Sequence, residues 1–486
     1  MSSELWRRLF ALPGAARWAV LARVGVTEDS WKAWPVMYRR AVVALLVGVL
    51  ALIVLAPFSG VDLAAVYTWI VFAALFVPPW ERIPTVGRFI PALGMLAVVV
   101  AYPYYADKLY TLPVLGAFPS ISTGVTMLIY VVMGLGLNVV VGYAGLLDLG
   151  YVAFYAIGAY SAAWFASQQF AGQNPDGSAK HAFHLLAIGI DPTLGGIHVT
   201  PWLLLVVGGV FAALIGMLIG LPTLRLRGDY LAIVTLGFGE ILPQVARNGD
   251  SLFGQNITNG PQGIVPLDTL GFGNTLHRVL GLPANYQIAS NGDSLYFWTA
   301  IVLVLITIFC SLRLRGSRLG RAWVAIREDE TAAAAMGIPL MRTKTLAYAI
   351  GAFFGGVAGA YFAIFTSSAN PDSFQLNFSI FVLVMVILGG MGNVWGVLVG
   401  AAFLAYLDQA GLANTGAWMN DHLGLNIDVP KYEFGIYGVM LLVMMLFRPH
   451  GLIPEARRKM EFEHGVHDEP LYDERADDAH VAEASH

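Results

Sequence analysis

The chain has 486 residues (52.4 kDa), of which 57% are hydrophobic and only 12% charged, and its mean hydropathy is +0.66. Soluble domains average about 45–50% apolar and about 25% charged, so this composition excludes a soluble enzyme, a disordered chain, a collagen and a disulfide scaffold. It leaves an all-α, polytopic transmembrane helix bundle, and the 53 glycines suit close helix–helix approach in lipid. The net charge of −4 comes from one place: residues 461–486 hold nine Asp or Glu against one Arg. The single cysteine, Cys310, lies in an apolar run, so there is no intrachain disulfide and no thiolate metal site.

In chain order, the basic arm 1–40 comes first, with seven Lys or Arg against three acids. Leu5, Trp6, Leu9, Phe10 and Leu12 share a face there, which predicts a short helix on the membrane surface. No apolar run with a small-residue cleavage site follows, which argues against a cleaved signal peptide. Apolar stretches then recur near 41–56, 64–79, 89–103, 124–142, 149–167, 201–220, 230–246, 295–311, 345–365, 379–392, 394–409 and 433–447. A full crossing needs about 20 apolar residues. The pair 379–392 and 394–409 is short, and reads as two crossings, one broken helix or a re-entrant hairpin.

Lys and Arg set the orientation. They crowd the arm, 80–88, 222–229, 312–344 and 448–486, whereas 104–123, 168–200, 248–293, 366–378 and 410–432 hold only Lys108, Lys180, Arg278 and Lys431. Both termini are therefore expected in the cytoplasm, with an even number of crossings, ten or twelve. The organisation expected is a cytoplasmic arm (1–40), accessory transmembrane helices (41–120), a core with a cytoplasmic loop at 312–344 (121–450), and an acidic, disordered tail (451–486). The four histidines of that tail read as solvated, with nickel or zinc binding as the alternative.

No GxxxxGK[ST], HExxH, CxxC or GxSxG occurs, so the chain has no P-loop of its own and no visible catalytic constellation; it is not expected to be an enzyme. Few charges fall inside the apolar stretches, which weakens a self-powered proton pump. The richest loop is Ser317–Lys344. Leu319, Ala322, Trp323 and Ile326 form one apolar stripe, interrupted by Arg321, Arg327 and Glu328. Glu328, Asp329 and Glu330 precede the alanine run 332–335, Gly337 suits a helix end, and Pro339 stops it. The loop reads as one or two short helices outside the membrane, either an interfacial linker or a docking element for a partner. Asn138, Asp148 and Glu240 are polar groups in or beside apolar stretches. Gly142 and Gly145, with Gly150, suggest a helix break whose amides could meet a substrate carboxylate; tight structural packing is the competing reading for all of these. Gly351, Gly355, Gly356 and Gly359 read as a helix-crossing run.

Four segments carry a resemblance: GLNVVVGYAGLLDLGYVAFYAIGAY (136–160), GLPTLRLRGDYLAIVTLGFGEI (220–241), RAWVAIREDETAAAAMGI (321–338) and LGGMGNVWGVLVGA (388–401). In this order they resemble the permeases of branched-chain amino acid ABC importers, more narrowly their longer, LivM-like subunit, over roughly residues 120–450. The resemblance implies a multi-pass bacterial inner-membrane permease for Leu, Ile and Val. It implies as partners a homologous second permease, two cytoplasmic ATPase subunits that bind the ATP and Mg, and a periplasmic solute-binding protein. It implies no cofactor in this chain and no nucleic-acid partner. The ATPase-coupling loop would comprise Arg318, Arg321, Trp323, Arg327, Glu328, Asp329, Glu330 and Gly337. The candidates for the translocation path are Asn138, Gly142, Gly145, Asp148 and Glu240. The alternatives are the same machine carrying urea or another amide, and a stand-alone ion-coupled secondary transporter.

Overall fold

The structure is a computed structural model. It describes residues 99–100, 102–104, 119–172, 182–185, 195–224, 229–251, 255–271, 292–424, 428–448 and 451–453. The surface helix expected at 5–12, the spans expected near 41–56 and 64–79, and the acidic tail lie outside the described residues. The chain divides into two compact units, Met1–Ser120 and Ile121–His486. The second is described below.

Helix α1 (Ile121–Leu137) runs without a break into a π-helical turn, Asn138–Tyr143. Helices α2 (Val152–Phe165), α3 (Pro201–Thr223), α4 (Asp229–Arg247) and α5 (Asp293–Gly316) follow. Two short helices, α6 (Arg318–Glu328) and α7 (Glu330–Ala335), precede the 27-residue α8 (Leu340–Thr366). Then come α9 (Leu376–Gly389) and α10 (Val394–Tyr406). Helix α10 continues through a second π turn, Leu407–Gly411, into α11 (Leu412–Leu423), and α12 (Glu433–Phe447) comes last. Strands β1 (Ala166–Ser167), β2 (Ala182–Leu185) and β3 (Gly196–Val199) form a small sheet, with β3 central, antiparallel to β1 and parallel to β2.

Among the described residues, six helical stretches have the length and apolarity to cross a bilayer: Ile121–Tyr143, Pro201–Thr223, Asp293–Gly316, Leu340–Thr366, Val394–His422 and Val429–Phe447. Helices α2 and α9 are apolar but 14 residues each, or about 21 Å at 1.5 Å per residue. The architecture is the expected all-α polytopic bundle.

The sequence left 379–392 and 394–409 open. The structure makes them an antiparallel hairpin that turns at Gly390–Asn393, where Asn393 Oδ1 caps α10 by accepting from Trp395 N at 3.1 Å. The second leg runs on to Leu423, into the segment read as an external connection at 410–432. Asn414, Thr415, Asn420 and Asp421 lower the apolarity there without a proline to stop the helix.

Helix α8 lies at the centre, against α1, α2 and α3. Its glycines let backbones touch. A Cβ on Gly158 of α2 would collide with Gly356 O of α8, and one on Gly356 would lie 2.6 Å from Gly208 O of α3. Such small-residue crossings drive helix association where lipid removes the hydrophobic incentive.

Candidate coupling and translocation site

The 317–339 loop caps one end of the bundle, here the loop end. Ser317 starts α6 by accepting from Gly320 N at 3.1 Å. Asp329 starts α7 by accepting from Thr331 N (2.7 Å) and Ala332 N (3.0 Å). These bonds, that to Ala332 first, hold its carboxyl below the usual carboxylate range. Gly337, at φ +84°, closes α7 in a Schellman arrangement, with Ile338 N donating to Ala333 O at 3.1 Å.

Three ties fasten the loop to the spans. Trp323 is fully buried, and its Nε1 donates to Thr343 O at 2.8 Å in the first turn of α8. Glu330 pairs with the buried Lys344 at 2.8 Å. Arg327 Nη1 donates to Gly142 O at 2.5 Å, at the end of the α1 π turn. Trp323, Arg327 and Glu330 thus act within the chain. Glu328, Asp329, Thr331, Ala332, Ala334, Ala335, Met336 and Gly337 are exposed, Met336 at 84%. Arg321 is exposed and donates to Gly316 O at 3.0 Å, and Arg318, beside the Ser317 cap, is exposed as well. Thr343 and Lys344 belong to this unit too: they fall within the Ser317–Lys344 stretch but outside the coupling residues expected there, and the signal for Lys344 is a charge one turn into an apolar span.

The π turn is the second part. Widening the helix to i→i−5 leaves Ala144 N on Val139 O (3.4 Å) and frees the Gly142 carbonyl, which the Arg327 guanidinium then caps. Gly145, at φ +68°, lies under the Arg327 stem, where a Cβ would sit 2.5 Å from Cγ. Asn138 is fully buried, and its Oδ1 accepts from Gly392 N of the α9–α10 turn at 2.8 Å. A side chain at Gly142 would strike both of these groups. The segment Gly451–Ile453 returns to the same turn: Leu452 N donates to Leu388 O (2.9 Å) and Ile453 N to Gly389 O (3.2 Å).

Residues 144–150 form the irregular break expected there, and the amides of Ala144, Leu146, Leu149 and Gly150 are taken. Asp148, 1% exposed, accepts from Gly150 N at 2.9 Å, with the Tyr348 hydroxyl interacting with the same carboxyl. Thr235 Oγ1 accepts from Leu149 N at 3.1 Å. In this conformation Asn138, Gly142, Gly145 and Asp148 are knitted to α4, α6, α8 and the hairpin turn, while Glu240 stands apart from them.

Glu240 lies on α4. This helix has 19 residues, or about 28 Å, enough to cross. It reaches the far end of the bundle, where Arg247 pairs with Asp372 at 2.6 Å just beyond α8. Tyr230, Ile233, Gly237, Glu240, Gln244 and Asn248 follow one another three or four residues apart on one stripe. Glu240 and Gln244 are exposed, and with Ile241, Val245 and Asn248 they line an open groove of about 400 Å³. An acidic side chain facing hydrocarbon costs on the order of 2–3 kcal/mol or more, so such groups face water or protein.

At the far end, His198 is 1% exposed; its Nδ1 lies 2.8 Å from Asp268 Oδ2, and the His184 ring stacks on it at 5.2 Å. Burial raises the Asp268 carboxyl and the bond to His198 opposes it. Among the described residues no three metal-binding side chains cluster.

A family profile described as branched-chain amino acid transport system / permease component matches residues 121–445. The chain is 35% identical over 404 residues to the high-affinity branched-chain amino acid transport system permease protein LivM of Escherichia coli K12, covering 80% of this chain and 81% of that one. It is 25% identical to a probable LivM permease of Methanocaldococcus jannaschii, over 67% of this chain and 91% of the relative. It is also 25% identical to LivH of Escherichia coli K12, a second permease protein of the branched-chain system, over 68% and 93%. No solved structure matches the chain.

Proposed function

This chain belongs to the family of permease components of branched-chain amino acid transport systems, and from that premise we propose how its loop drives transport. It is a multi-pass inner-membrane permease of an ABC importer for branched-chain amino acids. Residues 121–450 form its half of the path, and a homologous second permease supplies the other. Two cytoplasmic ATPase subunits bind the ATP and Mg below, and a periplasmic solute-binding protein delivers the solute above. Both termini then lie in the cytoplasm with the 317–339 loop, and 41–120 is an accessory helical region.

One observation carries the mechanism: the loop is tied at once to α8 and to the α1 π turn. The exposed Ala334–Gly337 end of α7 is the face an ATPase meets. Closure of the ATPase pair tilts α7, and α6 follows as a rigid arm because Trp323 fixes it to α8. Arg327 then pulls on Gly142 O, and the π turn, with its weak i→i−5 bonds, is the joint that yields. Asn138 passes the shift to the Gly390–Asn393 turn. In this reading Asn138 and Gly142 line the inner gate, and Asp148 holds its backbone.

The test is reconstitution of the complete complex in vesicles. Leucine uptake that requires ATP and the ATPase subunits is expected; uptake by this chain alone, driven by an ion gradient, overturns the reading. Gly337→Trp has open space around it but a positive φ that costs a non-glycine residue about 1–2 kcal/mol. It should lose ATPase co-purification while still inserting in the membrane.

A further inference from the structure

Helix α4 holds an acidic group that the coupling mechanism does not use. Glu240 sits eleven residues after Asp229 and seven before Arg247, about 16 Å from the loop end and about 10 Å from the far end of the helix. Glu240 thus lies well inside the helix, away from both of its ends. It is exposed, and among the described residues no Lys, Arg or His pairs with it. Gln244 lies one turn on, also exposed, in the same groove. The stripe is graded. Tyr230 (71% exposed) and Ile233 (64%) are apolar near the loop end, and Glu240, Gln244 and Asn248 are polar towards the far end. Gly237, between them, has nothing within 4 Å of an added Cβ. The other face of α4 is packed: Gly150 and Thr235 touch, and Gly239 lies against Gly150. The helix is therefore fixed in rotation, and its polar stripe cannot turn inward. The far half of this face therefore sets an acid and two amides beside the exposed Ile241 and Val245, so it offers polar and apolar contacts side by side.

We propose that Glu240 and Gln244 form a solute site on the wall of the path, where Glu240 receives the ammonium group of a zwitterionic amino acid. The chemistry matches in both halves. A carboxylate attracts the solute's ammonium and repels a free acid, and the Gln244 amide, about 6 Å away on the helix surface, donates to the solute's carboxylate. The apolar Ile241 and Val245 beside them accept the aliphatic side chain. This rests on the permease reading above and names the solute group recognised at that path.

The test uses the complete complex in vesicles, with Cys310→Ser as background. Gln244→Cys should react with water-soluble methanethiosulfonates, whereas Phe309→Cys, on an exposed apolar face of α5, should not. The cationic reagent should react about tenfold faster than the anionic one, and Glu240→Gln should abolish that preference. In uptake, Glu240→Gln should raise the KM for leucine about tenfold, and Glu240→Asp should restore much of it. An unreactive Gln244→Cys overturns the proposal, because the face is then sealed. Loss of complex assembly in Glu240→Gln overturns it in favour of an ion pair with the second permease. Wild-type complex without ATP-dependent leucine uptake refutes the permease reading itself; normal wild-type uptake with an unchanged Glu240→Gln refutes this site alone.

Discussion

Trp323→Ala tests whether the loop works as a rigid arm. The indole is fully buried and bonded to Thr343 O at 2.8 Å. Truncating such a ring costs about 3–5 kcal/mol. The remaining ties are weaker: the Glu330–Lys344 pair has a carboxylate 28% exposed to water and contributes on the order of 1 kcal/mol. The loss therefore falls on the local opening of α6 rather than on the whole bundle. At about 1.4 kcal/mol per factor of ten, hydrogen exchange of the Arg318–Glu328 amides should accelerate about 10²- to several 10³-fold, with α2 and α3 unchanged. Trp323→Phe keeps the ring and loses one hydrogen bond, about 1 kcal/mol, so it should accelerate exchange roughly fivefold. In vesicles, Trp323→Ala should still hydrolyse ATP with its partners but move little leucine per ATP. Tight coupling in a variant whose α6 exchanges freely would refute the rigid-arm argument.

Three further outcomes are expected. Gly158→Ala pushes a methyl into Gly356 O, and overpacking of this kind costs about 1–3 kcal/mol; its thermal midpoint should fall, while Gly435→Ala, in open space, should be silent. Asp329 has a folded carboxyl pKa lowered by its cap bonds, so its stabilisation of α7 is present at neutral pH and lost as pH falls through the folded value. The protection of the Thr331 and Ala332 amides should decay in that range, and Asp329→Asn, which keeps the acceptor and cannot titrate, should remove the pH dependence. His198→Ala leaves the buried Asp268 oxygen without its partner, at about 1–3 kcal/mol; exchange in 264–270 should rise with no change at the loop end.

The helices were legible because apolar length is a one-dimensional signal. The second loop helix was legible at its ends for a similar reason: an acid before the alanine run and Gly337 after it are local cap signals, and Asp329 and Gly337 cap there, whereas the Ser317 cap of α6 was not read from the sequence. What the sequence could not show is which way a side chain points once helices meet. Trp323 and Arg327 read as surface residues of a docking loop, yet one is buried against Thr343 and the other reaches Gly142, 185 residues away in sequence. Asn138 and Asp148 read as candidate solute contacts, yet one oxygen of each is taken by a backbone amide, of Gly392 and Gly150, while Asn138 Nδ2 and Asp148 Oδ2 have no hydrogen-bond partner. Glu240 was visible only as an acid in an apolar stretch. Its exposure depends on which face of α4 packs against Gly150, and no periodicity encodes that. The extension of α10 into α11 was missed because hydropathy falls there while the helix does not break.

The meeting of Gly158, Gly208 and Gly356 has a mechanical corollary. Three spans whose main chains touch have no compressible side-chain layer between them, so they cannot slide past one another by fractions of an ångström without steric overlap. Helices α2, α3 and α8 therefore form one block, in which a displacement of one is passed to the other two. A π turn, with its weaker i→i−5 bonds, has give that such a block lacks.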